Sequence, residues 1–110
     1  MNKLTFSFNW NNKLDCNAFT TIRLRNDNKY YKGAKFITEL IYKGQVTNKG
    51  DVMVEEVKHF KIDKINEFVA LLDTGYSRVD CIKTIQTMYK NIVPDWNKQD
   101  LSLILLVKQK

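Results

Sequence analysis

The residues best suited to chemistry lie in the stretch FTTIRLRNDNKYYKG, residues 19–33. Its first seven residues alternate between two faces, as in a β-strand with one face on a core. Thr21, Arg23 and Arg25 share the polar face at a spacing of about 7 Å. Two guanidinium forks beside a hydroxyl bind phosphate or carboxylate oxygens in pairs. A solvated strand face has the same pattern, so the sequence leaves both interpretations open.

Aromatic and basic residues near this strand add the groups that a nucleic-acid surface needs. Stacking on aromatic rings and contacts from basic side chains together hold single-stranded nucleic acid. The candidates besides the two arginines are Trp10, Lys29, Tyr30, Tyr31 and Lys32, with Tyr76 and Trp96 added from the loops around the predicted helices. A structural interpretation stands beside each of them: Trp10 can cap the core, and the tyrosines can support the turn.

Composition describes one ordinary globular domain over residues 1–110. The hydrophobic share is 44% and the charged share is 27%, which are typical of a folded soluble chain. No apolar run has the length of a membrane span, and the first residues lack the apolar core of a signal peptide. The sequence therefore predicts a cytoplasmic protein without a membrane partner, and a monomer is assumed.

The positive charge belongs to one half of the chain. Residues 1–50 contain nine basic and three acidic residues, whereas residues 51–110 contain nine of each. The net charge of +6 therefore lies in the half that includes the Arg-x-Arg strand. A basic face of this kind favours anionic partners, nucleic acid first.

Metal and cysteine chemistry have little support in the sequence. Cys16 and Cys81 have no metal-like spacing, and both are expected to be reduced. His59 is the only histidine and lies in an alternating strand pattern, which favours a packing role. No metal site and no cofactor are predicted.

Periodicity predicts five strand regions and two helices. The predicted strands cover residues 3–8, 19–25, 34–42, 52–61 and 101–107, with a possible bulge after Glu55-Glu56. Lys43-Gly44 is predicted as a tight turn, and residues 47–51 as a second turn. The helices are expected near residues 63–74 and 78–90, with an N-cap at Asp63, a capping serine at Ser77 and Gly75 as the C′ residue.

The predicted helices each have an apolar stripe, and the last strand is apolar on both faces. The stripes are Ile65, Phe68, Val69 and Leu72 in the first helix, and Val79, Ile82, Ile85 and Tyr89 in the second. The order of strands, two helices and a final strand predicts an α+β fold. We expect a small, mainly antiparallel β-barrel with the two short helices inserted before the last strand.

Two motifs in this order resemble a known family. Thr20-Thr21-Ile22-Arg23, followed after a spacer by Tyr31-Lys32-Gly33, is similar to the Thr-x-Arg…Lys-x-Gly signature of ASCH domains, small members of the PUA-like superfamily. The segment Asp73–Ser77 and the apolar last strand follow in the expected order. The resemblance implies a PUA-like β-barrel with a cleft beside the Thr-x-Arg strand, and binding of RNA or nucleotide-like ligands.

One branch of that family hydrolyses the amide of acetylated cytidine with a Lys, a Thr and a Glu. By this resemblance Thr21 matches the Thr, and Asp73 lies near the Glu position with a shorter side chain. The Lys position, three residues before the Thr, falls on Ala18. The expected loss of the activating amine argues against this chemistry and favours a protein that is not an enzyme.

The sequence thus predicts an RNA- or nucleotide-binding domain with Arg23 and Arg25 among its ligand contacts. Two alternatives stay open. One is an amidohydrolase or nuclease that acts on a modified nucleoside or RNA, with Thr21 and Asp73 as catalytic residues. The other is an accessory domain that interacts with other proteins.

Overall fold

The computed structural model describes residues 2–109, which form a five-stranded sheet with two α-helices packed on one face. The strands are β1 (Asn2–Phe6), β2 (Ala18–Leu24), β3 (Lys35–Tyr42), β4 (Gln45–Phe60) and β5 (Leu101–Lys108). The helices α1 (Glu67–Thr74) and α2 (Arg78–Met88) lie between β4 and β5. Short 3₁₀ helices cover Trp10–Asp15 and Ile62–Lys64. The α+β class and the helices before the last strand are confirmed.

The sheet order is β1-β3-β4-β5-β2. Only β1 and β3 pair in parallel within the described residues, and the other three pairings are antiparallel. The Lys43-Gly44 turn between β3 and β4 has φ values of 50° and 77°, as in a two-residue hairpin turn whose twist matches that of the strands. The predicted tight turn is confirmed.

The edge strands β1 and β2 come close together although no strand pairing joins them in residues 2–109. The rings of Phe6 and Phe19 lie 6.0 Å apart. Arg23 Nη2 donates a hydrogen bond of 2.8 Å to the carbonyl oxygen of Thr5. Five strands at about 4.8 Å separation would put the edges of a flat sheet about 19 Å apart. The sheet is therefore strongly curved.

Each face of the sheet has its own apolar core. The cluster on one face includes Leu4, Phe6, Leu14, Phe19, Tyr30, Phe36, Val52, Val54, Ile104 and Leu106. The cluster under the helices includes Ile22, Ile62, Ile65, Ala70, Cys81, Ile85 and Leu101. Alternate residues of β2 and β5 enter the two clusters, because successive side chains of a strand point to opposite faces. The prediction that the last strand is buried on both faces holds in part, because residues 102, 104 and 106 are buried whereas residues 103, 105 and 107 on the other face are half-buried.

The predicted turn at residues 47–51 is wrong, because β4 continues through it from Gln45 to Phe60. Thr38 pairs with Gly50 and Glu39 pairs with Asn48, so Lys49 is the extra residue of a bulge. The side chain of Asn48 accepts a 2.7 Å hydrogen bond from the Gly50 amide. The polar residues thus form a bulge in a long hairpin. The predicted bulge near Glu55 is confirmed by a register shift between Val54 and Glu56.

The start and the apolar face of α1 differ from prediction. Asn66, and not Asp63, is the N-cap, and its side chain accepts a hydrogen bond from the Val69 amide. Phe68 is 85% exposed and Leu72 is 61% exposed, so the predicted stripe is wrong at both positions. The stripe of α2 is wrong at its first member in the same way. Val79 is exposed and Ile85 is buried.

The predicted end of the first helix and the predicted start of the second helix are confirmed. Gly75 ends α1 with a left-handed φ of 78°, a conformation that glycine adopts without steric cost. Ser77 Oγ accepts a hydrogen bond from the Asp80 amide and caps α2. Within residues 2–109, the helices are all too short or too polar to cross a membrane.

Two members of the predicted α1 stripe provide a direct test of these cores. We expect Ile65→Ala to lower the free energy of unfolding by about 2–4 kcal/mol, because Ile65 is only 1% exposed. Leu72→Ala is expected to change it by about 0.5 kcal/mol or less, as exposed sites usually do. Urea denaturation measures both, and equal losses would contradict the burial described here.

Candidate functional site

The first 3₁₀ helix presents Lys13 and Leu14 to the interior, and Trp10 is half-buried. Asn11 and Asn12 adopt left-handed φ values of 56° and 54°, which asparagine tolerates better than most residues. Asn9 Oδ1 accepts a 2.9 Å hydrogen bond from the Leu14 amide, which ties the segment together. Lys13 is only 5% exposed as a result.

A buried ion pair joins this segment to α1 and β2. Lys13 Nζ donates a 3.1 Å hydrogen bond to Asp73 Oδ1. Thr20 Oγ1 donates to the same carboxylate oxygen at 2.9 Å. Burial lowers the pKa of Lys13, because desolvation disfavours its charged form, and the nearby Asp73 carboxylate opposes that shift.

Thr21 and Arg23 lie next to this pair on β2. Arg23 Nε donates a 3.0 Å hydrogen bond to Thr21 Oγ1. The guanidinium carbon lies 4.6 Å from the ring centroid of Phe6, a distance at which a cation is attracted to the face of an aromatic ring. Arg23 is therefore fixed by Thr21, Phe6 and the Thr5 carbonyl oxygen.

These groups surround a concavity of about 240 Å³, which we call the central cavity. Residues of β1, the first 3₁₀ helix, β2, α1 and α2 line it. They are Thr5, Phe6, Ser7, Trp10, Lys13, Thr21, Ile22, Arg23, Asp73, Thr74, Thr84, Ile85, Met88 and Tyr89. Aromatic and aliphatic walls with a few convergent polar groups are typical of a small-molecule site.

The structure brings together four of the predicted site residues. Trp10, Thr21, Arg23 and Asp73 all line the central cavity, although they come from three separate parts of the chain. The interpretation of the polar face of β2 as solvated does not hold at Thr21, which is 3% exposed.

Arg25 is placed differently from Arg23. Its Nε and Nη2 atoms bond the two carboxylate oxygens of Asp27, each at 3.0 Å. Its Nη1 atom donates to Asp100 at 3.3 Å. The Arg25 guanidinium holds the pKa of Asp27 below its usual value, so the carboxylate stays charged and the pair is neutral overall.

The other predicted ligand residues lie away from the central cavity. Tyr30 belongs to the core and packs 5.9 Å from the ring of Phe36. Tyr31 and Lys32 are exposed and line a separate, open groove beside His59. Tyr76 lies in the connection between α1 and α2 and does not line the cavity. The sequence does not reveal this division, because it depends on how the strands fold over each other.

Lys13 was not among the predicted site residues, and it overturns one expectation. The resemblance placed the family's lysine at Ala18 and therefore predicted a site without an amine. That expectation is wrong, since Lys13 supplies an ammonium group to the same cavity from a different segment. Asp73, an acid in the last turn of a helix, was the available signal, because this position disfavours negative charge unless a cation lies nearby.

The histidine and the two cysteines do not line the central cavity. His59 Nδ1 lies 2.9 Å from Ser102 Oγ, which is fully buried. Both cysteines are free; burial raises the pKa of the Cys81 thiol and disfavours its thiolate. Among residues 2–109, no three His, Cys, Asp or Glu side chains come together as metal ligands would.

Comparison of the chain with protein-family models found no match, and comparison with curated proteins and with solved structures found none either.

The buried lysine makes stability depend on pH in a defined direction. The pKa of Lys13 is below 10.5 in the folded chain and returns to that value on unfolding. Between the two values the unfolded chain binds more protons, so the free energy of unfolding rises with pH across this interval. In Lys13→Met this rise is expected to disappear. Urea denaturation at several alkaline pH values measures it, with Lys35→Met, which loses an exposed lysine, as the control. Identical profiles for wild type and Lys13→Met would contradict the assignment.

Proposed function

We propose that this chain is an ASCH-like domain that binds RNA or a nucleotide-like ligand, with one base or nucleoside held in the central cavity. The observation that supports this most strongly is the convergence of Thr21, Arg23 and Asp73 on one cavity. The first two belong to the motif that resembles the family, and Asp73 begins the second matching segment.

The size and chemistry of the cavity agree with this proposal. Its volume of about 240 Å³ lies just below the roughly 300 Å³ at which sites for drug-sized molecules begin. One nucleobase or nucleoside is a suitable occupant. The rings of Phe6 and Trp10 offer apolar contact to a base, while Thr21 and Arg23 offer hydrogen bonds to its polar edge.

The curvature of the sheet supports the PUA-like part of the proposal. A barrel requires the edge strands to approach each other, and here β1 and β2 contact through the Phe6–Phe19 rings and the Arg23–Thr5 hydrogen bond. The proposed cleft beside the Thr-x-Arg strand also corresponds to the position of the central cavity.

Binding should distinguish the two arginines of the strand. We expect Arg23→Gln to weaken binding of a nucleotide or a short single-stranded RNA by about tenfold or more, because it removes a partly buried cation from the cavity wall. Arg25→Gln is expected to weaken binding less than Arg23→Gln does, because Arg25 is already paired with two carboxylates and does not line the central cavity. Isothermal titration calorimetry at low salt measures both.

Arg23 also links two strands, so a second variant controls for loss of structure. Thr21→Val keeps the volume of the side chain and removes its hydroxyl, and it should weaken binding while the protein remains folded by circular dichroism. The binding proposal would be contradicted if both Arg23→Gln and Thr21→Val kept wild-type affinity, or if the wild type did not bind at low salt. Either result would favour an accessory domain that interacts with other proteins.

Lys13 favours amide hydrolysis as a second candidate function. An amine of lowered pKa beside a carboxylate and a threonine is the set of groups that acyl transfer requires. Thr21 Oγ would attack the amide carbonyl carbon, and its proton would pass to Lys13 in the fraction of molecules in which this amine is uncharged, a fraction that the lowered pKa increases. That proton would pass to the departing amine, and water would then release the acyl group from Thr21. The hydrogen bond from Arg23 Nε stabilises negative charge on the Thr21 oxygen.

Acetylated cytidine tests this candidate. If the chain is a hydrolase, purified protein releases acetate, and Lys13→Met lowers the rate by about 10²- to 10⁴-fold, the usual effect of losing an acid–base group. Thr21→Val should abolish acyl transfer, whereas Lys35→Met should leave the rate unchanged. Absence of turnover in a preparation that binds nucleotides would exclude this reaction and favour a binding protein.

A further inference from the structure

A second concavity lies directly beside the central cavity, and two side chains belong to both. This concavity, which we call the basic groove, has a volume of about 330 Å³ and is lined by Arg23, Arg25, Asn26, Lys29 and Tyr89 together with Leu24 and Tyr30. Arg23 and Tyr89 also line the central cavity. A ligand that fills the cavity can therefore extend past these two side chains into the groove.

Arg23, which lines both the central cavity and the basic groove, has hydrogen-bond donors that are not used within the protein. A guanidinium carries five N–H groups. Within residues 2–109, the hydrogen bonds of Arg23 involve Nε with Thr21 and Nη2 with the Thr5 carbonyl. Its Nη1 group has no partner in that part of the chain, and no carboxylate of residues 2–109 forms an ion pair with it. The charge of Arg23 is thus available to an anion.

Lys29 provides a second cation without a carboxylate partner in residues 2–109. Its Nζ atom lies 5.3 Å from the ring centroid of Tyr30, which is a cation–π contact and not an ion pair. Lys29 lies outside the strands and helices, in the turn that connects β2 to β3. Its side chain can move toward a ligand in the groove without disturbing the sheet.

The part of the groove around Arg25 is electrically neutral. Arg25 is paired with Asp27 and Asp100, and Asp100 is also bonded to Lys61. Both aspartates are held in the charged form, because the cations bonded to them lower their pKa values. The uncompensated positive charge of the groove therefore lies at Arg23, which also lines the central cavity, and at Lys29.

We propose that the basic groove is a phosphate subsite, so that the ligand of this site is a phosphorylated nucleoside. This inference rests on the proposed function, which places the base in the central cavity. The phosphate oxygens accept hydrogen bonds from Arg23 Nη1 and Lys29 Nζ, and Tyr89 and Asn26 line the same groove. The phosphate belongs either to a free nucleotide or to the backbone of RNA.

Calorimetric titration of nucleosides against their phosphates tests the subsite. Cytidine, uridine, adenosine and guanosine are compared with their 5′- and 3′-monophosphates at low salt. For at least one base we expect the monophosphate to bind about tenfold more tightly or better. Lys29→Gln should remove most of that gain and leave nucleoside affinity unchanged. Lys35→Gln, which removes an exposed lysine outside the groove, should keep the gain.

The outcomes separate this inference from the proposed function. If nucleosides bind and their monophosphates bind no more tightly, or if Lys29→Gln and Lys35→Gln behave alike, the phosphate subsite is wrong and the nucleoside site remains. If no nucleoside, nucleotide or oligonucleotide binds, both proposals fail. Dinucleoside monophosphates identify the source of the phosphate. Affinity equal to that of a mononucleotide would indicate RNA, and a loss of about tenfold would indicate a free nucleotide.

Discussion

The buried contact between Lys13 and Asp73 is the interaction on which the rest of the site depends. It connects two segments that are 60 residues apart in the sequence. An isolated buried charge costs several kcal/mol, so neither residue could occupy this position without the other. Thr20 contributes a second hydrogen bond to Asp73 and attaches the pair to β2. The pair therefore fixes the first 3₁₀ helix, the end of α1 and the strand of the Thr-x-Arg motif relative to each other.

The backbone around the pair contains features that stability alone does not require. Asp73 lies in the last turn of α1, where negative charge opposes the helix dipole. Asn11 and Asn12 are left-handed, and a Cβ atom at Gly75 would lie 3.3 Å from Asn11 Cγ. Unfavourable local choices of this kind concentrate at functional sites, because the surrounding structure maintains them. They support the view that the chain maintains a site at this location.

Much of the sheet could be predicted because its signals are local. The alternation in β2, the continuous apolar run of β5 and the Lys43-Gly44 turn each depend on the residues of one segment. Gly75 and Ser77 end and begin helices for reasons that are equally local. The polar residues 47–51 misled the prediction, because a bulge and a turn use the same residue types.

The site was predictable only in part, because its residues meet through long-range contacts. Thr21, Arg23 and Asp73 were found because their types and order resemble a known signature. Lys13 was missed, since nothing near it in the sequence indicates burial, and its partner lies in α1. Arg25 resembled Arg23 in every local respect, yet Asp27, two residues later, binds its guanidinium. The apolar stripe of α1 also could not be predicted from local pattern. The helix has only eight residues, and its buried residues are small or polar, so its large apolar residues are exposed.

A double-mutant cycle on Lys13 and Asp73 tests the central claim most directly. Urea denaturation of wild type, Lys13→Met, Asp73→Asn and the double variant gives the coupling between the two side chains. If the pair organises the site, each single variant loses about 3 kcal/mol or more, and the double variant loses about 2 kcal/mol less than the two single losses combined. Small and additive losses, each below about 1 kcal/mol, would show that the pair is incidental and would contradict the account.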